Sequence, residues 1–271
     1  MKIFKDKISL MKEIKKQSNI AFVPTMGSIH EGHLSLIKRA KKESKNVLVS
    51  IYVNPKQFEL NSDFTKYPRN LSRDIRLLKK IKIKYLYLPE YNDLYSFRPK
   101  IHIHLNKFSK KLCGKFRPGH FRGVVNIVNR FLEIIKPSMI FLGKKDFQQL
   151  TLIKFHINKN KIPTKVIECP TVRQSNGVAL SSRNTKLTKN QTFIANKVYK
   201  YIKNNKNLIL LKNLKNKKST IINKITLFGV KKIVYLECIN LNTLRTAKKN
   251  NEKFNVFISY YLGKIRLIDN L

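Results

Sequence analysis

The chain has 271 residues, 42% of them hydrophobic, enough for a sizeable core in one large domain or two smaller ones. Its longest apolar runs, around 20–23 and 47–53, fall far short of the ~20 residues that cross a bilayer, and Asp6 and Glu13 interrupt 1–16 where an export signal would be apolar, so neither membrane nor secretion is expected. The 57 Lys and Arg against 15 Asp and Glu give a net charge of +42, which would suit a nucleic-acid partner, but lysine, asparagine and isoleucine are spread everywhere among only 9 Gly, 9 Pro and no Trp, a compositional bias rather than a binding face.

In chain order, strands are predicted at 20–23, 47–53, 85–88, 139–142 and 164–167, alternating with amphipathic stretches in the manner of βαβ units around a parallel sheet. Leu34, Ile37 and Ala40 share one face of a helix after the first strand, and Leu71, Ile75 and Leu78 are read as the inward face of a helix over 71–80. His102 and His104 alternate on an expected strand and are read as facing solvent. The clearest helix spans 124–135, with Val124, Ile127, Val128, Phe131, Leu132 and Ile135 on one side and Pro137 ending it. Another starts after Asp146, read as its N-cap, with Phe147, Leu150, Ile153 and Ile157 inward. Past 172 the texture changes to a Gly and Ser loop, helical segments around 191–204 and β-like runs at 233–238 and 254–261. The stretch 203–218 reads either as a solvated helix pair or as partly irregular. The expected architecture is α/β, a Rossmann-like parallel-sheet domain over 1–172 and a smaller α+β domain over 173–271. Cys113, Cys169 and Cys238 are widely spaced, form no CxxC pair and fit reduced thiols in a cytoplasm.

The chemistry concentrates where strands end. Pro24-Thr25-Met26-Gly27-Ser28-Ile29-His30-Glu31-Gly32-His33 joins the first strand to a helix N-terminus, where unpaired backbone N–H groups and the helix dipole favour an anion. His30 and His33, three apart, can sit on one side of the first turn and donate to phosphoryl oxygens; the plainer alternative is a pair of surface histidines. Asn54-Pro55-Lys56-Gln57 follows the second strand, so its two amides stand at the carboxyl edge of the sheet, to read hydroxyls and carboxylates or to brace the loop. Gly143-Lys144-Lys145-Asp146 aims a lysine at the same phosphate region, and Leu180-Ser181-Ser182-Arg183 offers two hydroxyls and a guanidinium, with Gly177 as a candidate hinge.

His-x-Gly-His after a strand resembles the signature of the nucleotidylyltransferase superfamily. The runs 23–27, 50–58, 67–69, 117–124, 143–149 and 180–184, in this order, together with 262–263 and 266–270 at the end, resemble the pantothenate synthetase family over nearly the whole chain. The resemblance implies a Rossmann-like fold of the His-x-Gly-His type, with ATP and Mg²⁺ as cofactors. The implied reaction is adenylation of pantoate followed by amide formation with β-alanine, in a cytoplasmic homodimer joined through the first domain. It implies catalytic roles for His30, His33 and Lys145, with His33 the proton donor. ATP contacts are implied for residues 26–33 (Met26, Gly27, Ser28, Ile29, His30, Glu31, Gly32 and His33), for Gly143, Lys144, Lys145 and Asp146, and for Val172, Leu180, Ser181, Ser182 and Arg183. Gln57 is implied to hold pantoate and β-alanine and Gln149 pantoate, with Asn54 and Thr25 beside them. No residue is assigned as a metal ligand, though Asp74 is a candidate helper of Mg²⁺. Two positions depart from the pattern: Lys144 stands where an acidic residue is usual, and Cys113 where a glutamate is. Competing readings are a related nucleotidylyltransferase, which would not require both Gln57 and Gln149, and a basic RNA-binding protein, which would leave the motifs unexplained.

Overall fold

A computed structural model describes residues 1–59, 61–215 and 217–271. The backbone divides into two compact units, Met1–Thr171 and Val172–Leu271.

The first unit is a six-stranded parallel sheet of β1 (Lys2–Phe4), β2 (Ile20–Thr25), β3 (Asn46–Ile51), β4 (Tyr85–Tyr87), β5 (Met139–Gly143) and β6 (Lys165–Cys169), in the order β1-β4-β3-β2-β5-β6. The chain steps outward from β2 to β4, then returns to place β5 on the other side of β2. Loops leaving the carboxyl ends of β2 and β5 therefore diverge, and open α/β sheets form their ligand crevice at such a reversal. The β2–β5 register runs only from Ala21↔Met139 to Phe22↔Ile140, and ends before Pro24, which has no N–H to give a ladder. The two strands part where the crevice begins.

Both faces of this sheet are covered, which is why its central strands read as nearly continuous apolar runs. Ala21, Val23, Val49 and Phe141 pack with Leu34, Ile37 and Ala40 of the helix Glu31–Glu43. On the opposite face Phe22 and Tyr87 meet Phe131 of the helix His120–Ile135, at ring-centroid distances of 5.4 and 6.0 Å. Burial of each large apolar side chain contributes ~1.5–3 kcal/mol, so these two helices hold the sheet and its loop ends in place.

The α/β reading holds, and the differences have local causes. β1 escaped notice because three residues carry almost no periodicity. The segment with His102 and His104 is not a strand: the His104 N–H donates to Nδ1 of buried His156 (3.3 Å), a tertiary contact that replaces a ladder. In the helix Leu71–Lys80, Leu71 is 47% exposed, and Asp74, four residues before Leu78, is buried on the inward face. Asp146 occupies the N-cap position of the helix Phe147–Lys159 but its side chain makes no capping bond.

The second unit has an antiparallel sheet of β7 (Lys232–Asn240), β8 (Phe254–Leu262) and β9 (Ile265–Asn270), in that order. Helices Lys189–Asn204, Lys206–Leu214 and Lys218–Thr226 cover it, with Ile209, Leu210, Ile221 and Ile225 buried, so most of the described part of 203–218 is helical and contributes core; residue 216 in that stretch lies outside the described residues. The candidate hinge Gly177 is closely packed. It sits at φ +90° in a tight turn closed by Gln174 N–H to Val178 O (2.9 Å), and a Cβ there would stand 2.1 Å from the Tyr199 ring. The turn is anchored by Arg173, which donates to Gly177 O (3.1 Å) and pairs through both guanidinium nitrogens with Asp269 (2.6 and 2.9 Å). Gly177→Ala is expected to lower the unfolding free energy by about 1–3 kcal/mol through left-handed strain and overpacking. A urea-unfolding midpoint equal to that of the parent would contradict this account of the turn.

Candidate active site

The turn after β2 is closely held by polar contacts. Gly27 (φ +77°) and Ser28 (φ +51°) both adopt the left-handed conformation, which sends the Ser28 and Ile29 amides toward the same point. Asp74, 1% exposed, receives them: Ser28 N–H donates to Oδ2 (2.7 Å) and Ile29 N–H to Oδ1 (2.8 Å). Its neighbour Arg73 donates to Ile29 O (3.1 Å). Thr25 Oγ1 donates to Ser50 O (2.7 Å) and accepts from Gly27 N–H (3.2 Å).

The helix Glu31–Glu43 then starts with a reciprocal cap built from the two histidines. Gly32 N–H donates to His30 Nδ1 (3.1 Å), and His30 N–H donates to His33 Nδ1 (3.3 Å). The spacing of three is the N-cap to N3 spacing of a capping box. Each Nδ1 accepts, so each neutral ring carries its proton on Nε2, and both rings keep one N–H donor clear of the helix. Burial, and for His30 next the positive charge of Lys145, lowers the His30 pKa from its ordinary 6.5 to about 4. Burial, then His30 and Lys145, lowers that of His33 to about 3. At neutral pH His33 can therefore give a hydrogen bond from a neutral ring.

This overturns one expectation. The backbone amides of Gly27, Ser28, Ile29, His30 and Gly32 all have internal acceptors, so the turn does not present a row of unpaired N–H groups. An anion here meets side-chain donors instead. Lys145 supplies one from the turn after β5: its side chain is 18% exposed, lies 3.6 Å from Asp146, and is near enough to depress both histidines. Lys144 is half exposed and 3.7 Å from Glu168, so the two adjacent lysines point to different surroundings.

The amides sort in a similar way. Gln57 is buried in the 3₁₀ turn Pro55–Gln57 after β3, and its Nε2 lies 2.7 Å from Sδ of Met26, in the β2 turn. Asn54, 1% exposed, is engaged at both ends of its amide: Oδ1 accepts from Lys56 N–H (3.3 Å) and the Tyr95 hydroxyl (2.9 Å), and Nδ2 donates to Gly123 O (3.1 Å). Asn54 and Thr25 therefore brace the turns after β2 and β3. Gln149 is half-buried in the first turn of the helix Phe147–Lys159. Its neighbour Gln148 is the buried one, accepting from Cys113 N–H (3.1 Å) and donating to Phe108 O and Lys111 O (2.7 Å each). Each oxygen of Asp74, the candidate Mg²⁺ helper, holds a backbone amide; among the described residues no three His, Cys, Asp or Glu side chains converge on a cation position.

In the second unit Val172 O accepts from Leu180 N–H (3.0 Å), and Ser181 caps the 3₁₀ helix Ser182–Lys186 by accepting from Arg183 N–H (3.2 Å). Ser182 is buried and Arg183 half-buried. Sequence reading missed the bracing role of Asp74. Asp74 had a signal, an acidic residue on the apolar face that includes Leu78.

A family model described as pantoate-β-alanine ligase matches residues 2–271. A pantothenate synthetase of Pseudothermotoga lettingae is 42% identical over 264 residues, covering 96% of this chain and 94% of that protein. One from Thermotoga neapolitana is 40% identical over 258 residues, covering 94% and 92%. Among solved structures, a pantoate-β-alanine ligase from Francisella tularensis complexed with β-γ ATP and β-alanine matches with TM-score 0.83 at 38% identity, covering 100% of this chain and 97% of that one. A pantothenate synthetase from Thermus thermophilus matches with TM-score 0.86 at 29% identity, covering 100% and 99%.

Removing the carboxylate that holds the turn strands two buried amides at ~1–3 kcal/mol each, so Asp74→Ala is expected to cost about 3 kcal/mol of stability by urea unfolding. Asp74→Asn keeps the shape and one acceptor and should recover only part of that loss; an unchanged midpoint in Asp74→Ala would mean the turn holds itself. A second expectation concerns pH. The folded chain keeps His30 (about 4), His33 (about 3) and His156 (about 4) neutral where the unfolded chain binds protons near 6.5. Stability from these groups is full above about pH 6.5 and falls as pH drops toward 4. Urea midpoints that stay flat between pH 7.5 and 5 would refute it.

Proposed function

Because this chain belongs to the pantoate-β-alanine ligase family, we propose that it forms pantothenate from pantoate and β-alanine in two half-reactions, the first of them ATP-dependent, at the β2–β5 crevice. The observation that carries this reading is the histidine cap, which leaves two neutral Nε2–H donors in the field of Lys145 at the point where the strand order reverses. In the first half-reaction a pantoate carboxylate oxygen attacks the α-phosphorus of ATP, and the bond from that phosphorus to the bridging oxygen breaks to release pyrophosphate. In the second, the β-alanine nitrogen attacks the carbonyl carbon of pantoyl adenylate, the bond to AMP breaks, and one proton is released overall.

Neither step needs a covalent enzyme intermediate. Holding reactants in line supplies up to ~7–11 kcal/mol. Donors placed where charge develops supply ~10²–10³ in rate each. His30 and His33 donate through Nε2 to phosphoryl oxygens, and Lys145 neutralises the charge that accumulates as pyrophosphate leaves. Backbone and side chains of 26–33 and of Gly143, Lys144, Lys145 and Asp146 line the nucleotide. Ser181, Ser182 and Arg183, with Val172 and Leu180, form the phosphate loop of the second unit. Gln57 and Gln149 hold pantoate, and Gln57 also receives β-alanine. ATP would enter as its Mg²⁺ complex, the ion neutralising charge on the phosphates beside Lys145. The family resemblance also leads us to propose a cytoplasmic homodimer joined through the first unit.

The purified protein with ATP, Mg²⁺ and pantoate should release pyrophosphate, and AMP should appear only when β-alanine is added. His33→Ala should lower both by ~10²-fold or more while the protein remains folded. A folded wild-type protein that releases no pantoate-dependent pyrophosphate would overturn the assignment.

A further inference from the structure

The 117–124 motif takes no part in the half-reactions above, yet it grips the Gln57 turn at three points. His120 Nδ1 donates to Gln57 O (2.7 Å), and Arg117 Nη2 donates to the same oxygen (3.2 Å). Arg117 Nη1 lies 3.1 Å from His120 Nε2. A carbonyl can only accept, so the proton of His120 is on Nδ1; Nε2 is then the acceptor for the arginine, and the pair admits one tautomer. Three residues further on, Gly123 O accepts from Asn54, and a Cβ at Gly123 would stand 2.1 Å from Lys56 O, so the helix His120–Ile135 and the turn are in backbone contact. The Gln57 carbonyl, Asn54 and the Lys56 backbone are all fixed by this one segment. What the turn keeps for a ligand is the Gln57 side chain, whose Nε2 points at Met26 in the β2 turn.

We infer that Arg117 and His120 are positioning residues for the acid substrate: their shared grip on the Gln57 carbonyl sets where the Gln57 amide stands. The inference rests on the pantoate role of Gln57 proposed above. A glutamine side chain turns about three torsions, so it places its amide reproducibly only when the backbone it hangs from is held. A misplacement of ~1 Å can cost ~10²-fold in rate. Neither Arg117 nor His120 needs to touch substrate for this. Loss of the grip should weaken the response to pantoate and leave that to ATP, whose donors sit on the turns after β2 and β5.

The test compares His120→Leu, which removes the donor, with His120→Asn, whose Nδ2–H can take the place of Nδ1–H at similar size. Initial rates of pyrophosphate release are read against pantoate and against ATP, alongside the thermal midpoint. His120→Leu should raise the pantoate KM about tenfold with the ATP KM within about twofold, and His120→Asn should restore most of the difference. If His120→Leu is too unstable to assay, Arg117→Met removes the second donor to the same carbonyl and carries the same expectation. An unchanged pantoate KM, equal rises for pantoate and ATP, or an asparagine variant as poor as the leucine one overturns the positioning role. Absence of pantoate-dependent release in the wild type overturns the functional reading, and this inference with it; wild-type release with no selective effect in the variants overturns this inference alone.

Discussion

One buried carboxylate determines the shape of the site. The turn after β2 passes through two successive left-handed residues, and for Ser28, which has a Cβ, that conformation costs roughly 1–2 kcal/mol. Asp74 offsets the cost by accepting both amides that the conformation turns inward. Space around Gly27 is set by the same contact, since a Cβ there would lie 3.1 Å from Asp74 Oδ2 and 3.0 Å from Ile51 Cγ2. Arg73 adds a donor to the Ile29 carbonyl from the same helix turn. With 28–29 fixed, residue 30 can only enter the next helix as its cap, and the orientation of both histidine rings follows.

The electrostatics of the chain make that carboxylate more significant. With 15 acids against 57 lysines and arginines, each acidic side chain has several cations competing for it. Glu168 pairs with both Lys154 (2.8 Å) and Lys144 (3.7 Å), and the hydrogen bond from Lys154 leads the causes that lower its pKa. Lys144 and Lys154 are half exposed, so these pairs contribute little to stability. They do place the charge of Lys144 beside Glu168 on β6. Lys145 is the cation felt by both His30 and His33, and it acts with burial to keep both rings neutral.

The sheet was legible in the sequence because its strands are buried on both faces, and each strand expected there lies within two residues of an observed one. The helix His120–Ile135 was legible from 124 onward; its first turn was not, because Gly119 enters it through φ +77° without a side-chain cap. The histidine pair could be found from spacing, but its use of both Nδ1 atoms as helix caps could not, since a capping box is ordinarily written with Ser or Thr and Glu or Gln. The bracing role of Asp74 was not legible for a related reason. A carboxylate on an apolar helix face can hold a cation or a backbone, and the partner that decides between them is 46 residues away.

Gln148 and Gln149 show where sequence reading reaches its limit. Adjacent residues on a helix point ~100° apart, so two neighbouring amides cannot share an environment. Gln148 makes three bonds that fasten Phe108, Lys111 and Cys113 to the helix Phe147–Lys159, and the same rotation leaves Gln149 half-buried. The Cys113 amide is thus tied down and its side chain is 8% exposed. A glutamate in that position would bring a charge into a place that accepts one only with a partner, at a cost of several kcal/mol otherwise. A thiol has no such requirement. Position 113 therefore contributes packing.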